Sequence, residues 1–217
     1  MTVDYAIIPV REFSDSKLRL KGTLSTKQRI ALTTSLLRRV TSAISLSKVA
    51  AAVVVASNPV EVMEIVDGLS KINVIQEDTH HGGVNDAMRN GIDFAKQQMA
   101  TTITLLPSDL PFISHRQIDM VLDVLHGNEL VINGSRKKDG TNLLSMHASL
   151  EFALHFDDNS FVKHTQEAAI RQLRFLTVDF DEFSRDLDDP DDLKEAMRLH
   201  SAYSFGSFLN NVIENGI

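Results

Sequence analysis

The chain has 217 residues, 43% hydrophobic and 24% charged, with a net charge of −7. That length can bury a core without covalent staples, and the absence of cysteine excludes disulfides and thiolate metal sites. The acidic balance argues against a nucleic-acid partner, because neutralising phosphates requires a basic surface.

Tyr5 to Val10 reads as a buried first strand. It is too short for a signal-peptide core or a membrane span, so a soluble, cytoplasmic protein with no membrane contact is expected. Ser25 to Ile44 has apolar residues at helical spacing, with Ser25 and Gln28 placed as a capping box. Val49 to Ala56 is a valine-rich strand of the kind covered on both faces. Pro59 opens a helix through Leu69, and Ile72 to Ile75 is a short strand. A helix over Asn85 to Met99 and a strand over Thr101 to Leu106 follow. Ser114 caps a helix through about Leu125. Strands are expected at Leu130 to Ile132 and Leu143 to Met146, a helix at Ser160 to Leu173, and a strand at Phe175 to Phe180. Pro190 starts the last helical region.

The alternation predicts an α/β fold: a Rossmann-like, mostly parallel sheet with helices on both faces. A single domain spans residues 1–217, with a helical tail from about 195. The tail has Tyr203, Phe205, Phe208 and Leu209, much apolar surface that either packs back on the sheet or meets a second subunit, and a homodimer is expected. Ligands of such sheets sit beyond the carboxyl ends of the strands, so the loops after Val10, Ala56, Ile75 and Leu106 matter most.

The first of these loops has Arg11, Lys17 and Arg19, a set of cations suited to a polyphosphate. It lacks the glycines and Lys-Ser/Thr pair of a Walker loop, and an exposed basic loop would look the same. Leu106-Pro107-Ser108-Asp109-Leu110-Pro111 places one acid between prolines at a strand end. A carboxylate there is costly to bury without a partner. A hard cation such as Mg²⁺, with Mn²⁺ as the alternative, is a natural one, while a helix-capping role is the competing reading. Gly83-Val84-Asn85 could let backbone and side chain approach a base or phosphate, or be a turn before a helix. The adjacent His80 and His81 are poor metal ligands, because neighbours on a strand face opposite ways. Thr141 and Asn142 could bond a phosphate or carboxylate. Turn chemistry alone would also explain that string, and Ser160 is expected as a helix cap, with an anion contact as the further reading. In the acidic string from Asp186 to Asp192, Asp189 can cap the helix that Pro190 starts, which leaves Asp186 or Asp188 for a metal. No Ser-His-Asp or Cys-His order stands out. Nucleotidyl transfer to an ionised phosphate would need no strong base.

In order along the chain, these strings resemble the 2-phospho-L-lactate guanylyltransferase family, within the wider group that includes the molybdenum-cofactor guanylyltransferases. The resemblance rests on Pro9-Val10-Arg11 with Lys17-Leu18-Arg19-Leu20, where Arg11 replaces the family's Lys. It continues through Gly83-Val84-Asn85, the intact Leu-Pro-x-Asp-Leu-Pro around Asp109, and Gly140-Thr141-Asn142-Leu143. Ser160-Phe161 to His164 and Asp186 to Leu193 complete it. One departure is Phe156-Asp157-Asp158-Asn159, where the family commonly has Phe-Gly-Pro-Gly. The resemblance implies a fold of nucleotide-diphospho-sugar transferase type. It implies a reaction of GTP with 2-phospho-L-lactate to give lactyl-2-diphospho-5′-guanosine and pyrophosphate, in biosynthesis of the deazaflavin coenzyme F-420.

By the same resemblance, Lys17, Arg19 and Asp109 are catalytic. Pro9, Val10, Arg11, Lys17, Gly83, Asn85 and Pro107 bind the nucleotide. Thr141, Asn142 and Ser160 bind the acceptor, and Asp109 and Asp188 hold Mg²⁺. Related transferases acting on phosphoenolpyruvate, a molybdopterin or a sugar phosphate are the alternative, and an inactive nucleotide-binding regulator is the non-enzyme reading.

Overall fold

The computed structural model describes residues 2–78 and 83–199. His80, His81 and the expected dimer-forming tail beyond residue 199 lie outside the described residues. Seven strands form one sheet in the order β3-β2-β1-β4-β6-β5-β7. They are β1 (Asp4–Val10), β2 (Ala51–Ala56), β3 (Ile72–Gln76), β4 (Thr102–Leu105), β5 (Leu130–Gly134), β6 (Thr141–His147) and β7 (Phe175–Val178). The helices are α1 (Thr26–Leu46), α2 (Pro59–Val66), α3 (Val84–Gln97), α4 (His115–Leu125), α5 (Ser160–Ile170), α6 (Asp181–Ser184) and α7 (Pro190–Arg198).

Alternation along the central strands explains the two helical layers. In β1, Ala6, Ile8 and Val10 face a core with residues of α1, α2 and α4. Tyr5 and Ile7 face the opposite way, into a core shared with α3 and α5. In β2 the residues from Ala52 to Ala56 are fully buried, which accounts for its unbroken apolar run. Gly91 lets α3 approach β1 closely: a Cβ there would lie 2.3 Å from Ile7 Cγ2. A third core at the carboxyl end of the sheet joins Leu20, Leu24, Leu32, Leu36, Phe112 and Leu193. That core seats α7 and the loops after β1 and β4 on α1.

Several local expectations hold. Ser25 and Gln28 form the capping box of α1, and Asp189 forms one with Asp192 at α7. Others are corrected. Ser160 is not the cap of α5. It is the first helical residue, and Asn159 takes the cap position in the left-handed region, at φ 57°. Ser114 does stand at the cap of α4, but its side chain caps no backbone group and donates instead to Gln117. The helix expected to Leu69 stops at Val66, ahead of Gly68 at φ 75°. The strand expected to Phe180 stops at Val178, because the Phe180 N–H turns to the Asn133 side chain.

The sheet is parallel except for β6, which runs antiparallel to both β4 and β5. The 135–140 connection is too short for a crossover helix, so β6 returns beside β5. The chain leaves β1 toward β2 on one side, while β4 enters on the other. The carboxyl ends of β1 and β4 therefore flank the switch point, where the first candidate loop and the Asp109 loop meet. Among the described residues no helix is long and apolar enough to cross a membrane.

Candidate active site

The loop after β1 folds into two short 3-10 turns, Phe13–Asp15 and Leu18–Leu20. Between them Lys17 takes a left-handed backbone, φ 54° and ψ 40°. Buried Arg29 of α1 supports this shape, its Nη1 donating to the Ser16 carbonyl at 2.5 Å. Phe13 and Leu20 anchor the loop's two ends in the core. Lys17 is thereby aimed inward, its side chain only 7% exposed.

Its ammonium lies between two carboxylates. Lys17 Nζ donates to Asp109 Oδ2 at 2.5 Å and to Asp188 Oδ1 at 2.7 Å. The three residues come from distant parts of the chain, and backbone bonds align them. The Leu187 N–H donates to the Asp109 carbonyl at 3.2 Å, which ties the acidic loop to the Leu-Pro-x-Asp loop. The Asp188 N–H then donates to the capping Asp192 at 3.0 Å. Asp186 stands alongside, its Oδ1 accepting from Asn142 Nδ2 at 3.0 Å.

One ammonium cannot balance this many acids. Burial works against the charge of Lys17, but the attraction of Asp109 and Asp188 outweighs it and raises its pKa. Burial also raises Asp109, the more enclosed acid, despite the adjacent Lys17. In Asp188 burial is outweighed by Lys17 and, at longer range, Arg19, so its pKa falls. Burial and the nearby charge of Asp109 push Asp186 up to about 6, with Asn142 opposing. Asp109 Oδ1 is buried with no hydrogen-bond partner. An orphan carboxylate oxygen among crowded acids is what a hard cation would satisfy. Among the described residues no three acids or histidines converge tightly enough to enclose an ion alone. Such a cation would share its shell with substrate oxygens, as Mg²⁺ commonly does.

Two hollows meet here. A cavity of about 240 Å³ is lined by Arg11, Ser16, Lys17, Thr33, Ser108 and Asp109. A larger cleft of about 1560 Å³ is bordered by Arg11, Arg19, Arg136, Phe156, Asp186 and Asp188. Pro9 and Val10 end β1 beneath the basic loop, and Pro107 leads into the Asp109 loop.

The expected acceptor residues Thr141, Asn142 and Ser160 are buried on β6 and α5, next in sequence to Gly140 and Asn159, which line the cleft. Thr141 Oγ1 lies 2.9 Å from His164 Nδ1. Asn142 spends its amide on the Phe183 carbonyl and on Asp186, so it positions an acid here. Ser160 is buried in the first turn of α5. Gly83, at φ 118°, precedes α3. Asn85 turns its Oδ1 to the Phe156 N–H at 2.8 Å and so braces the loop over Asp157 to Asn159.

Sequence reasoning missed Arg29, His164 as a bonded partner, and the Asn85 brace. Arg29 shares the first turn of α1 with Lys27, so no local signal set it apart. For His164 and Asn85 no local signal exists, because their partners arrive from distant segments.

Residues 4–212 match the family described as guanylyl transferase CofC like. The chain is 30% identical to the 2-phospho-L-lactate guanylyltransferase of Methanocaldococcus fervens, over 87% of this chain and 82% of that protein. It is 29% identical to the phosphoenolpyruvate guanylyltransferase of Sphaerobacter thermophilus, over 88% and 90%. It is 30% identical to the 3-phospho-D-glycerate guanylyltransferase of Phenylobacterium zucineum, over 89% of each. A solved structure from Desulfovibrio desulfuricans G20, described as a candidate nucleotide-diphospho-sugar transferase, superposes with a TM-score of 0.81 at 14% identity. It covers 98% of this chain and 97% of that one. The chain belongs to the CofC-like family and is a guanylyltransferase.

Proposed function

We propose that this enzyme transfers the guanylyl group of GTP to 2-phospho-L-lactate, releasing pyrophosphate, on the route to coenzyme F-420. The observation that carries the transfer reading is the Lys17 ammonium between Asp109 and Asp188, beside a buried carboxylate oxygen with no partner. The acceptor is taken from the relatives named for 2-phospho-L-lactate.

In the transfer, a phosphate oxygen of the acceptor attacks the α-phosphorus of GTP. The bond from that phosphorus to the β-phosphate oxygen breaks, and pyrophosphate leaves with the electron pair. The acceptor phosphate is already ionised near neutral pH, so positioning and charge neutralisation suffice. Asp109 and Asp188 would hold Mg²⁺, or Mn²⁺ in its place, which when bound supplies positive charge to the triphosphate. Arg11, Lys17 and Arg19 add fixed positive charge on the same side. With three N–H donors, Lys17 can keep a carboxylate while turning another proton to a phosphate oxygen. Asn85 and Gly83 stand at the start of α3 toward the nucleotide. Thr141 and Ser160 face the acceptor.

A second reading changes only the acceptor. Relatives at similar identity are named for phosphoenolpyruvate and 3-phospho-D-glycerate, and residues 157–159 lack the family's usual glycines. Pyrophosphate release should be measured with GTP, CTP and ATP against these three acceptors. GTP with 2-phospho-L-lactate should give the highest kcat/KM. Faster turnover of another acceptor would replace that assignment and leave guanylyl transfer standing. Lys17→Ala should raise the KM for GTP at least about tenfold, as loss of a charged hydrogen bond does. A rise confined to the acceptor's KM would show that Lys17 serves the other substrate.

A further inference from the structure

We propose that His164 fixes the direction of the Thr141 hydroxyl, so that Thr141 meets the acceptor as a hydrogen-bond donor. This rests on the reading of Thr141 as an acceptor contact.

The argument follows from which atoms can donate. His164 is fully buried on α5, and both of its ring nitrogens are engaged. Its Nε2 faces the backbone N–H of His155 at 2.9 Å. An amide N–H can only donate, so Nε2 must offer its lone pair. A neutral imidazole has one N–H, which therefore sits on Nδ1. Nδ1 lies 2.9 Å from Thr141 Oγ1, so the hydroxyl oxygen must accept from it. The hydroxyl proton then has to point away from Nδ1.

The ring cannot readily turn over to reverse this pattern. Phe156 packs edge-on at 4.9 Å between centroids, and Phe152 lies at 5.9 Å. Burial lowers the imidazole pKa to about 4, with the neighbouring His155 adding to the effect, so the ring stays neutral near pH 7. An imidazolium would also set an N–H against the His155 N–H. The outcome is a hydroxyl locked as donor, suited to an anionic oxygen. Each relative's named substrate bears both a carboxylate and a phosphate, so the arrangement serves that shared chemistry and does not choose among them.

Two substitutions separate the ring's two bonds. His164→Asn puts a carboxamide near the Nδ1 place, and His164→Gln puts one near the Nε2 place. His164→Gln and Thr141→Val should each raise the acceptor's KM about tenfold with the KM for GTP unchanged. His164→Asn should stay within about threefold of the wild type. The double variant His164→Gln with Thr141→Val should be no worse than Thr141→Val alone, because one removes what the other directs. Multiplying effects, or equal losses in Asn and Gln variants, would reduce His164 to a packing residue. An unchanged acceptor KM in Thr141→Val would overturn the acceptor reading itself, and the proposal with it. Ring ¹⁵N spectra of the unmodified protein do not depend on the variants folding. A protonated Nδ1 is expected, and a protonated Nε2 overturns the proposal.

Discussion

The two walls of the cleft are built from different materials. One wall, at the ends of β1 and β4, is made of charge: Lys17, Asp109, Asp186 and Asp188, half-buried and imperfectly balanced. The other, behind the Phe156–Asn159 rim on β6 and α5, is held together by neutral hydrogen bonds. There His164 bonds Thr141 and the His155 N–H, and Asn85 bonds the Phe156 N–H. On the proposed reading, the charged wall stores unmet demand for a cation and a triphosphate. On the same reading the neutral wall stores direction, holding donors and acceptors still before the substrate arrives. An enzyme that joins two anions has use for both, since charge must be neutralised while the attacking oxygen is aimed.

Four changes test that contrast, from the largest expected effect to the smallest. Asp109→Asn should cut kcat more than about 100-fold, the scale of losing a principal electrostatic group. Since one Asp109 oxygen is buried and unpaired, the variant's melting temperature should hold or rise. Near-normal turnover at saturating Mg²⁺ would mean the charged wall is not where catalysis happens.

Putting charge into the neutral wall should cost stability. The folded pKa of His164 is depressed to about 4 from an ordinary 6.5. Between these values the unfolded chain binds a proton that the folded chain refuses. The stabilisation is therefore whole above pH 6.5 and is lost as pH falls toward 4. Denaturant titrations should show this residue costing roughly 2 kcal/mol between pH 7 and 4.5. His164→Phe should lose that part of the pH slope. An identical slope in the variant would show that the imidazole is not held neutral.

Gly91 lies where α3, the helix that begins beside Asn85, rests on β1. Gly91→Ala should destabilise by about 1–3 kcal/mol through overpacking against Ile7. An unchanged melting temperature would show that α3 has room to move. Smallest of all, Asp157→Asn removes the exposed ion pair with Lys163. The melting temperature should not move measurably, and the acceptor's KM should stay within about threefold. A large KM change would make that rim part of the neutral wall.

The charged wall was far more legible in the sequence than the neutral one. Lys17 and Asp109 sit just past strand ends, and strand ends are where α/β sheets bind ligands. The capping logic of Asp189 and Pro190, a local rule, narrows the second acid to Asp186 or Asp188. The neutral wall depends on meetings between distant segments: His155 with His164, Phe156 with Asn85, Asn142 with Phe183. Nothing local marks such pairs. The antiparallel β6 is an intermediate case. Leu143 to Met146 reads as a strand, and only the shortness of the 135–140 connection gives away its direction. Ser160 shows the limit of capping rules, since a left-handed Asn159 took the position that its side chain suggested for Ser160.

The bond between Lys17 and Asp188 spans 171 positions of the chain. During synthesis the N-terminal strands and α1 can assemble early, at roughly 5–20 residues per second of elongation. The basic loop and Asp109 are then in place while their last partner is still unmade. A growing chain therefore has the loop that would attract a nucleotide but not the completed acid pair beside it. On the proposed assignment, the acid pair that would hold the cation is complete only once residue 188 joins a loop laid down 171 positions earlier.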